Sequence, residues 1–305
     1  MVDKNPLITI ILPVYNGEKT LKATLDSLLA QTYTHFKIII GIDGTKDASK
    51  SIAEAYKDSR INIFENPVNL GLADNVNKLM TLVPADSDLI AMAEQDDYYV
   101  PERLAWQVEI MQKHPEVGLV SGIVEFKGKS KSILFPGILV KGKPFPQGEA
   151  LFTYLYINQL KVVNTCMLFR KSVHEQNKLK FRNTYGNFNI DWDYILRFSL
   201  VSNIYGIPKK LVVMNRTLTN DSVTRDKDSQ HKASRQLLKN FRKEFPEKIS
   251  KRTYNNALKM HRKIELGHHT KLGIIFRSLY YFLLYFDTYF LMYVLDKTKS
   301  YFVKN

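Results

Sequence analysis

The sequence of 305 residues predicts an α/β protein with a mostly parallel sheet flanked by helices and a C-terminal helical extension. Two observations predict this fold. Short apolar runs rich in β-branched residues alternate with amphipathic helical segments over the first hundred residues. The last quarter of the chain has a helical pattern and holds most of the net charge of +14, with 16 basic and 5 acidic residues from His231 to Asn305.

Each predicted element follows from its local pattern. Leu7–Leu12 and Phe36–Ile42 are apolar runs typical of buried strands, whereas Lys19–Ala30 carries leucines three or four residues apart, as one face of a helix does. Strands that alternate with helices predict a parallel sheet. The remaining predicted elements are helix Ala48–Tyr56, strand Ile61–Glu65, helix Leu70–Leu82, strand Leu89–Ala93, helix Pro101–Lys113, strand Val117–Phe126, helix Glu149–Tyr156, strand Val162–Phe169, helix Asp191–Leu200 and strand Lys210–Asn215.

The domain organisation follows from the same patterns. Residues 1–225 are predicted to form the α/β domain, with a first half at 1–100 and a second half at 101–225. Residues 226–305 form a basic and aromatic helical region. The single cysteine, Cys166, excludes an internal disulfide, and no group of Cys and His has zinc-site spacing. Only six mostly apolar residues precede Pro13, too few for a signal peptide, so we expect a cytoplasmic protein.

Polar residues follow each of the first four predicted strands. Ligands of parallel α/β sheets bind at the carboxyl ends of the strands, so these residues are expected to line one site. Neither a GxGxxG loop nor a Walker loop is present, and a dinucleotide fold or a P-loop NTPase is therefore not supported. The polar residues are Tyr15-Asn16, Asp43, the stretch 66–71 and Glu94-Gln95-Asp96-Asp97.

The adjacent acids Asp96 and Asp97 predict a metal site. Two carboxylates at the end of a buried strand repel each other unless a cation neutralises them, and Mg²⁺ or Mn²⁺ takes such oxygen ligands. The alternative is a solvated turn that caps the helix beginning near Pro101. Asp43, followed by Gly44, is either a turn residue or an acceptor for the imide N–H of a nucleobase.

Taken together, several motifs resemble family 2 glycosyltransferases, which have the GT-A fold with a Rossmann-like sheet. The resemblance covers roughly residues 7–225. Glu94 stands where the family's acidic motif begins with Asp. The motifs are Ile8 to Asn16, Leu25 to Tyr33 with its Ser-(x)4-Gln-Thr pattern, Asp43 to Asp47, Asn66 to Asn77, Glu94 to Asp97 with Pro101 to Leu104, and Ile190 to Arg197.

The resemblance implies an inverting glycosyltransferase. It would move a sugar from a nucleoside-diphosphate sugar, foremost a UDP-sugar, to a hydroxyl of a glycan or lipid-linked acceptor in bacterial-type surface polysaccharide synthesis. Residues 1–100 would bind the donor and residues 101–225 the acceptor. A divalent metal, Mn²⁺ or Mg²⁺, would be held by Asp97 and Asp96. The residues implied for nucleotide-sugar binding are Pro13, Tyr15, Asn16, Asp43, Asn77 and Asp96.

Asp191 is the catalytic residue that the resemblance implies, as the general base that deprotonates the acceptor hydroxyl. The alternative is a helix N-cap, because Asp191 opens an apparent helix. Asp193 is the second candidate for the base. The polar stretch after the last predicted strand is either a solvated loop or a lid over the diphosphate, with Arg216, Ser222 and Arg225 as its contacts.

The C-terminal region predicts an interfacial helix. Leu272–Leu295 is rich in aromatic residues, but Arg277 and Asp287 interrupt it, so a transmembrane helix is less well supported. The basic residues of 248–271 suit anionic headgroups, which would place the protein peripherally at the inner face of the cell membrane. The alternative is a helix that packs on the domain or in a homodimer.

Two further classes of protein compete with the transferase. A nucleotidyltransferase acting on sugar phosphates requires a Gly-rich basic loop after the first strand, and residues 13–17 lack one. A nucleic-acid-binding protein requires basic and aromatic residues interleaved on the main domain, whereas the basic excess is confined to the C-terminal region. We therefore expect no nucleic-acid partner.

Overall fold

The computed structural model describes residues 5–128, 132–135, 139–140, 143–159, 162–215 and 226–302. The chain divides into two compact units. The first comprises Met1–Leu155 and Leu160–Val223, and the second comprises Tyr156–Gln159 and Thr224–Asn305. The second unit thus takes in a short stretch that the sequence pattern places in the α/β domain.

Up to residue 215, strands and helices alternate through the fourth strand, and the described residues beyond it form further strands and helices with a 3₁₀ turn at Asn164–Cys166. In order they are β1 (Ile8–Val14), α1 (Leu21–Leu29), β2 (Phe36–Asp43), α2 (Ser49–Glu54), β3 (Ile61–Asn66), α3 (Leu72–Met80), β4 (Leu89–Met92), β5 (Asp97–Tyr99), α4 (Arg103–Lys113), β6 (Val117–Lys127), β7 (Ser132–Phe135), β8 (Leu139–Val140), β9 (Lys143–Pro144), α5 (Glu149–Asn158), β10 (Leu168–Arg170), α6 (Lys171–Gln176), β11 (Thr184–Asn187), α7 (Ile190–Ser199) and β12 (Asn203–Asn215).

Within the described residues, the main sheet of the first unit has nine strands. Its path is β3-β2-β1-β4-β10-β6-β12-β5, and β7 pairs with β6 beside this path. The first four strands are parallel, and Ile10 lies opposite Ile38 of β2 and Ala91 of β4. Their carboxyl ends therefore share one edge, where the loops after β1, β2, β3 and β4 meet.

The buried faces explain why these segments form a sheet with helices on it. All seven residues of β1 are buried, as expected for a strand covered on both faces. On α1, Leu21, Leu25 and Leu28 point into the same core at helical spacing. Each such side chain stabilises the fold by about 1.5–3 kcal/mol.

The second half of the sheet departs from the predicted parallel order. The strand predicted at Val162–Phe169 is wrong over most of its length, because Asn164–Cys166 form a 3₁₀ turn and only Leu168–Arg170 form β10. β10 runs antiparallel to both β4 and β6. The short strand β5 pairs antiparallel with β12, and its three residues give no periodic signal that local pattern could detect.

The second unit is helical beyond residue 226. Its helices are α8 (Lys227–Glu244), α9 (Lys251–Leu266), α10 (Lys271–Tyr285) and α11 (Tyr289–Phe302). The side chains of Asp226, Ser250 and Thr270 cap the first three of these helices. Among the described residues, no helix combines the length and apolar character that crossing a membrane requires.

Helix α10 is apolar on two sides. One side packs in a small core in which Leu266, Ile274, Tyr281 and Phe290 are buried. The other side is exposed, and its large apolar residues recur at intervals of three and four. This exposed apolar face of α10 consists of Leu272, Phe276, Leu279 and Leu283, each at least 49% exposed.

Candidate active site

The loop between β4 and β5 carries the acidic cluster. β4 ends at Met92, and β5 begins at Asp97, so Glu94 to Asp96 cross the edge of the sheet. Oxygen atoms of Glu94, Asp96 and Asp97 all lie within 4.8 Å of one another. Carboxylates this close strongly disfavour their joint ionisation in the absence of a cation.

The environment of this cluster raises the pKa values of its carboxyl groups. Burial, followed by the charges of Glu94 and Asp96, raises the pKa of Asp97 well above its usual range. Burial is also the main cause that raises the pKa of Glu94 to about 7, with a further contribution from the charges of Asp96 and Asp191. Burial raises the pKa of Asp96. Without a cation, the site thus disfavours the ionised forms of all three carboxyl groups.

Asp97 is 3% exposed and lies close to a buried cation. The guanidinium of Arg103 is buried 4.7 Å above the ring of Tyr99, and its Nη2 donates to the carbonyls of Met92 and Met167. A hydrogen bond with Thr165 and the charge of Arg103 favour the ionised form of Asp97. Both effects are smaller than that of burial, so the pKa of Asp97 stays raised.

The donor set fits a hard divalent cation. Among the described residues, Oδ2 of Asp97 is buried and has no hydrogen-bond partner. A buried unsatisfied acceptor is costly, and a cation satisfies it directly. Oxygen ligands from one or more carboxylates are what Mg²⁺ and Mn²⁺ prefer. Glu94, Asp96 and Asp97 could therefore hold such an ion.

Gln95 ties this acidic loop to the loop after β1. Its Oε1 accepts a hydrogen bond from the backbone N–H of Tyr15 at 2.7 Å, and its Nε2 donates to the carbonyl of the same residue at 2.8 Å. From α1, the hydroxyl of Thr24 bonds the carbonyls of Gln95 and Asp97. Pro13 is buried, whereas the side chain of Tyr15 is exposed beside the acidic loop.

Asn16 lies in a left-handed turn at φ 52° and is held by the loop after β2. Its N–H donates to the hydroxyl of Thr45, which also contacts its Oδ1 at 2.9 Å. Burial opposes the ionisation of Asp47, but hydrogen bonds from Ser49, from Thr45 and from the backbone N–H of Glu18 lower its pKa to about 2. The anionic Asp47 thus fixes the geometry of both loops.

Asp43 organises the loop between β3 and α3. One carboxylate oxygen accepts from Nδ2 of Asn66 and from the N–H of Leu70, and the other accepts from the N–H of Gly71. The carboxylate is 2% exposed. Gly44 is required beside it, because a Cβ there would approach the backbone N of Asn69 to 2.4 Å. Hydrogen bonding of Asp43 to a nucleobase stays a prediction.

Asn77 is engaged by the chain before β11. Its Nδ2 donates to the carbonyl of Phe181 at 2.7 Å, and its Oδ1 accepts from the N–H of the same residue at 3.0 Å. Both ends of the amide are therefore used inside the protein. A contact of Asn77 with the nucleotide sugar stays a prediction.

Asp191 lies in the first turn of α7. The N-cap position belongs to Asn189, with φ 58°, so the alternative interpretation of Asp191 as the N-cap is wrong. Its Oδ1 accepts from the N–H of Trp192 at 2.9 Å, and burial raises its pKa to about 6. Its charge also raises the pKa of Glu94, so the two carboxyl groups lie near enough to interact electrostatically.

Asp193 is paired with Arg197. Its Oδ2 forms an ion pair with Nε of Arg197 at 2.9 Å, and its side chain is 2% exposed. A carboxylate paired with an arginine is a weaker base than one without such a partner. Between the two candidates, the environment favours Asp191. The predicted lid residues Arg216, Ser222 and Arg225 lie outside the described residues.

A comparison with protein families assigns the chain to one of them. The model of glycosyl transferase family 2 matches residues 9–177, which is more than half of the sequence. The chain belongs to glycosyl transferase family 2. The matched segment runs from β1 through α6 and contains the acidic cluster, while Asp191 lies beyond it.

Curated relatives of this family 2 chain include bacterial transferases. Over 161 residues it is 32% identical to the putative glycosyltransferase EpsE of Bacillus subtilis, an alignment that covers 49% of this chain and 57% of EpsE. Over 108 residues it is 31% identical to the UDP-Glc:alpha-D-GlcNAc-diphosphoundecaprenol beta-1,3-glucosyltransferase WfgD of Escherichia coli, covering 35% of this chain and 42% of WfgD. The chain thus matches about half the length of these relatives.

Solved structures confirm the predicted α/β fold of GT-A type. TarS of S. aureus, residues 1–349, matches with a TM-score of 0.63 at 16% identity, covering 84% of this chain and 72% of that one. The mannosyltransferase PcManGT of Pyrobaculum calidifontis, in complex with GDP-Man and Mn²⁺, matches with a TM-score of 0.57 at 14% identity, covering 96% and 84%. At these identities the likeness concerns the fold.

Some residues of this family 2 site are missed by sequence reasoning. Glu94, which the sequence places at this edge but not among the predicted metal ligands, is the third member of the acidic cluster. Asn164 donates to Oε1 of Glu94 at 3.1 Å from the 3₁₀ turn, a contact across 70 positions that local pattern does not show. Gln95 likewise has no signal besides its place between two acids.

Proposed function

We propose that this chain is an inverting glycosyltransferase that moves a sugar from a nucleoside-diphosphate sugar to a hydroxyl of a glycan or lipid-linked acceptor in polysaccharide synthesis. The observation that carries the proposal is the cluster of Glu94, Asp96 and Asp97, whose oxygens lie within 4.8 Å of one another after β4. The charge of Asp191, far away in the sequence, raises the pKa of Glu94, which supports a candidate base near the candidate metal site.

The comparisons support the substrate class. WfgD and WfaP are named for transfer from UDP-Glc to a diphosphoundecaprenol-linked acceptor, and TarS has been solved with UDP-GlcNAc and with UDP. PcManGT has been solved with GDP-Man and Mn²⁺. We infer a nucleoside-diphosphate sugar as donor, with UDP as the first base to test, and a lipid-linked glycan as the first acceptor.

The acidic cluster would hold the metal. Asp96 and Asp97 are the proposed ligands, with Glu94 beside them. A bound Mn²⁺ or Mg²⁺ supplies Lewis-acid stabilisation of the charge that develops on the leaving nucleoside diphosphate. Asp96 is partly exposed and is proposed also to bind the donor, whereas Asp97 is buried, with the charge of Arg103 favouring its ionised form.

Asp191 would take the proton of the acceptor hydroxyl. With a pKa of about 6, it is largely ionised at neutral pH and is a stronger base than an ordinary aspartate. Its hydrogen bond from the N–H of Trp192 orients the carboxylate. Attack by the activated hydroxyl opposite the leaving group would invert the configuration of the anomeric carbon.

The loops after β1, β2 and β3 would bind the nucleotide. Tyr15 presents an exposed ring next to the acidic loop, and Asn16 continues the same turn after the buried Pro13. Asp43 and Asn77 complete the proposed set. The contacts of these last two residues within the protein suggest that they act by shaping the loops as much as by touching the donor.

The C-terminal unit is proposed to associate with the surface of an anionic membrane, which would place the protein peripherally at the inner face. The exposed apolar face of α10 would enter the interfacial region, where Tyr and Phe are favoured. The excess of Lys and Arg in this unit matches negatively charged headgroups. The alternative is that this face joins two copies of the chain in a homodimer, and the test distinguishes between the two.

A thermal-shift screen tests the proposed activity. The full chain is incubated with UDP, GDP, ADP or CDP, with and without Mn²⁺, because a ligand that binds only the folded state stabilises it by RT ln(1 + L/Kd), where L is the free ligand concentration. We expect a selective rise in Tm with one diphosphate that requires Mn²⁺, and release of that diphosphate when its sugar conjugate is supplied with an acceptor. Identical melting with all diphosphates and Mn²⁺ would contradict the proposal.

A further inference from the structure

The C-terminal unit contains a basic pocket that the proposed transfer chemistry does not use. Its volume is about 480 Å³, within the range of pockets that hold small ligands. Residues from α8, α9 and α10 line it. The side chains that matter for its chemistry are Lys232, Arg235, Arg262, Glu265, His269 and Arg277, and we call this site the basic pocket.

The buried wall of the basic pocket carries more positive than negative charge. Glu265 is 4% exposed, and its two oxygens accept from Arg235 at 2.8 Å and from Arg262 at 2.5 Å. Burial raises the pKa of Glu265, but these arginines outweigh that effect and lower it, so the carboxylate is ionised. Two guanidinium groups share this single carboxylate, which leaves one positive charge in excess.

The rim adds two further cations. Lys232 and Arg277 are exposed, and within the described part of the chain neither forms an ion pair. Asp228 is the other acid that lines the pocket, so its charged side chains sum to a positive value. An anion entering the pocket would therefore meet a lysine and three arginines against two carboxylates.

A ring nitrogen without a partner also lines the basic pocket. Nε2 of His269 is buried and, among the described residues, makes no hydrogen bond; Oε1 of Glu265 lies 3.9 Å away. Burial lowers the pKa of His269, so its ring is neutral and one nitrogen carries a proton. A ligand oxygen in the pocket could satisfy this group, whose isolation is otherwise costly.

We propose that the basic pocket binds a phosphate group, as a monoester or a diphosphate. The forked donors of arginine match the oxygens of phosphate, and a dianion gains more from the clustered cations than a carboxylate does. Two sources share this chemistry. A lipid headgroup is one, because Arg277 lies on α10 next to the exposed Phe276, and a soluble phosphate compound is the other. The proposal does not depend on the transfer activity.

A pair of variants tests the proposal in the full chain. Lys232→Gln combined with Arg277→Gln removes both rim cations without touching Glu265 or its partners. The matched control combines Lys239→Gln on α8 with Arg252→Gln on α9, two exposed residues outside the pocket. Circular dichroism melting checks that both proteins fold as the wild type does. All measurements contain EDTA, so that the acidic cluster binds no metal–phosphate complex.

Two probes distinguish the sources. Inorganic pyrophosphate is titrated by calorimetry, and phosphatidylcholine vesicles with or without phosphatidic acid are used for co-sedimentation. With at least one probe, we expect the rim variant to bind about tenfold more weakly or worse, while the control binds like the wild type. Loss confined to pyrophosphate indicates a soluble ligand, and loss on phosphatidic acid vesicles indicates a lipid. No binding of either probe, or equal weakening in the rim variant and the control, overturns the proposal.

Discussion

Gln95 and Tyr15 form a reciprocal pair in which the side-chain amide of one residue satisfies both backbone groups of the other, at 2.7 and 2.8 Å. The pair joins the loop after β1 to the acidic loop after β4. Because the proposed donor lies between these loops, their spacing depends on a residue that carries no charge and no catalytic group.

Replacing Gln95 by alanine should therefore weaken donor binding. Two hydrogen bonds of about 0.5–1.5 kcal/mol each are lost, so we expect the KM for the nucleotide sugar to rise roughly tenfold with a smaller change in kcat. Steady-state release of the nucleoside diphosphate measures both constants. Gln176→Ala, at an exposed position on α6, is the control and should behave like the wild type. An unchanged KM for Gln95→Ala would show that the pair does not set the loop spacing.

Asp97→Asn should separate metal binding from folding. Removing one of three crowded carboxylates relieves repulsion and desolvation, so Tm without metal should stay the same or rise. Turnover with Mn²⁺ should fall on the order of 100-fold or more, because Lewis-acid stabilisation amounts to several kcal/mol. The control is Asp86→Asn, an exposed acid. Wild-type turnover across a Mn²⁺ titration would refute the metal assignment.

Asp191→Asn and Asp193→Asn should fail in different ways. The first keeps the shape of the side chain but removes the base, so transfer should drop about 10²–10⁴-fold while nucleotide binding persists. The second breaks the ion pair with Arg197, whose side chain is only 12% exposed, and should cost about 3–5 kcal/mol of stability. Rates at saturating substrate and urea denaturation measure the two effects. An active Asp191→Asn protein beside a folded but inactive Asp193→Asn protein would reverse the assignment.

His174 should make the first unit less stable in mild acid. It is buried against Tyr194, with Nδ1 2.9 Å from the hydroxyl, and burial lowers its pKa to about 4. The unfolded chain takes up this proton near pH ~6.5, so stability is lost as the pH falls from there towards 4. Between pH 7 and pH 5 the loss from this group is about 2 kcal/mol.

Tryptophan fluorescence during urea denaturation measures that loss selectively, because Trp106 and Trp192 both belong to the first unit. His174→Gln keeps a polar partner for Tyr194 and should flatten the pH dependence by this amount. The control His114→Gln, at a position where the side chain is 40% exposed, should retain the wild-type slope. If both variants keep that slope, His174 is not the titrating group.

Phe276→Ser with Leu283→Ser should abolish binding to vesicles of phosphatidylcholine and phosphatidylglycerol. Both side chains are at least 66% exposed on α10, so the fold should tolerate the change, whereas burial of each in the interface contributes about 1.5–3 kcal/mol. Co-sedimentation and Tm are the measurements, and Ile264→Ser on α9 is the control. A wild-type dimer that dissociates in the variant, without any vesicle binding, would show that the face joins two copies instead.

The local sequence pattern is enough to predict much of the secondary structure of the first unit. The strands at Ile8–Val14, Phe36–Asp43 and Val117–Lys127 and the helices after the first two lie within a few residues of their predicted bounds. Their periodicity is a property of consecutive residues, since it reflects which side of each element meets the core. The antiparallel β10 escaped prediction because a three-residue strand has no period and its direction depends on its neighbours.

The candidate site also has features that the sequence predicts and features that depend on folding. By itself, the sequence determined where the acids lie relative to the strand ends, because a run such as Glu94 to Asp97 is contiguous and follows a buried strand. Only the tertiary structure decided that Asp191 lies near enough to Glu94 to raise its pKa and that Gln95 holds Tyr15. Both relationships join distant parts of the chain. Folding creates such relationships by bringing surfaces together, and no periodicity of the sequence records them.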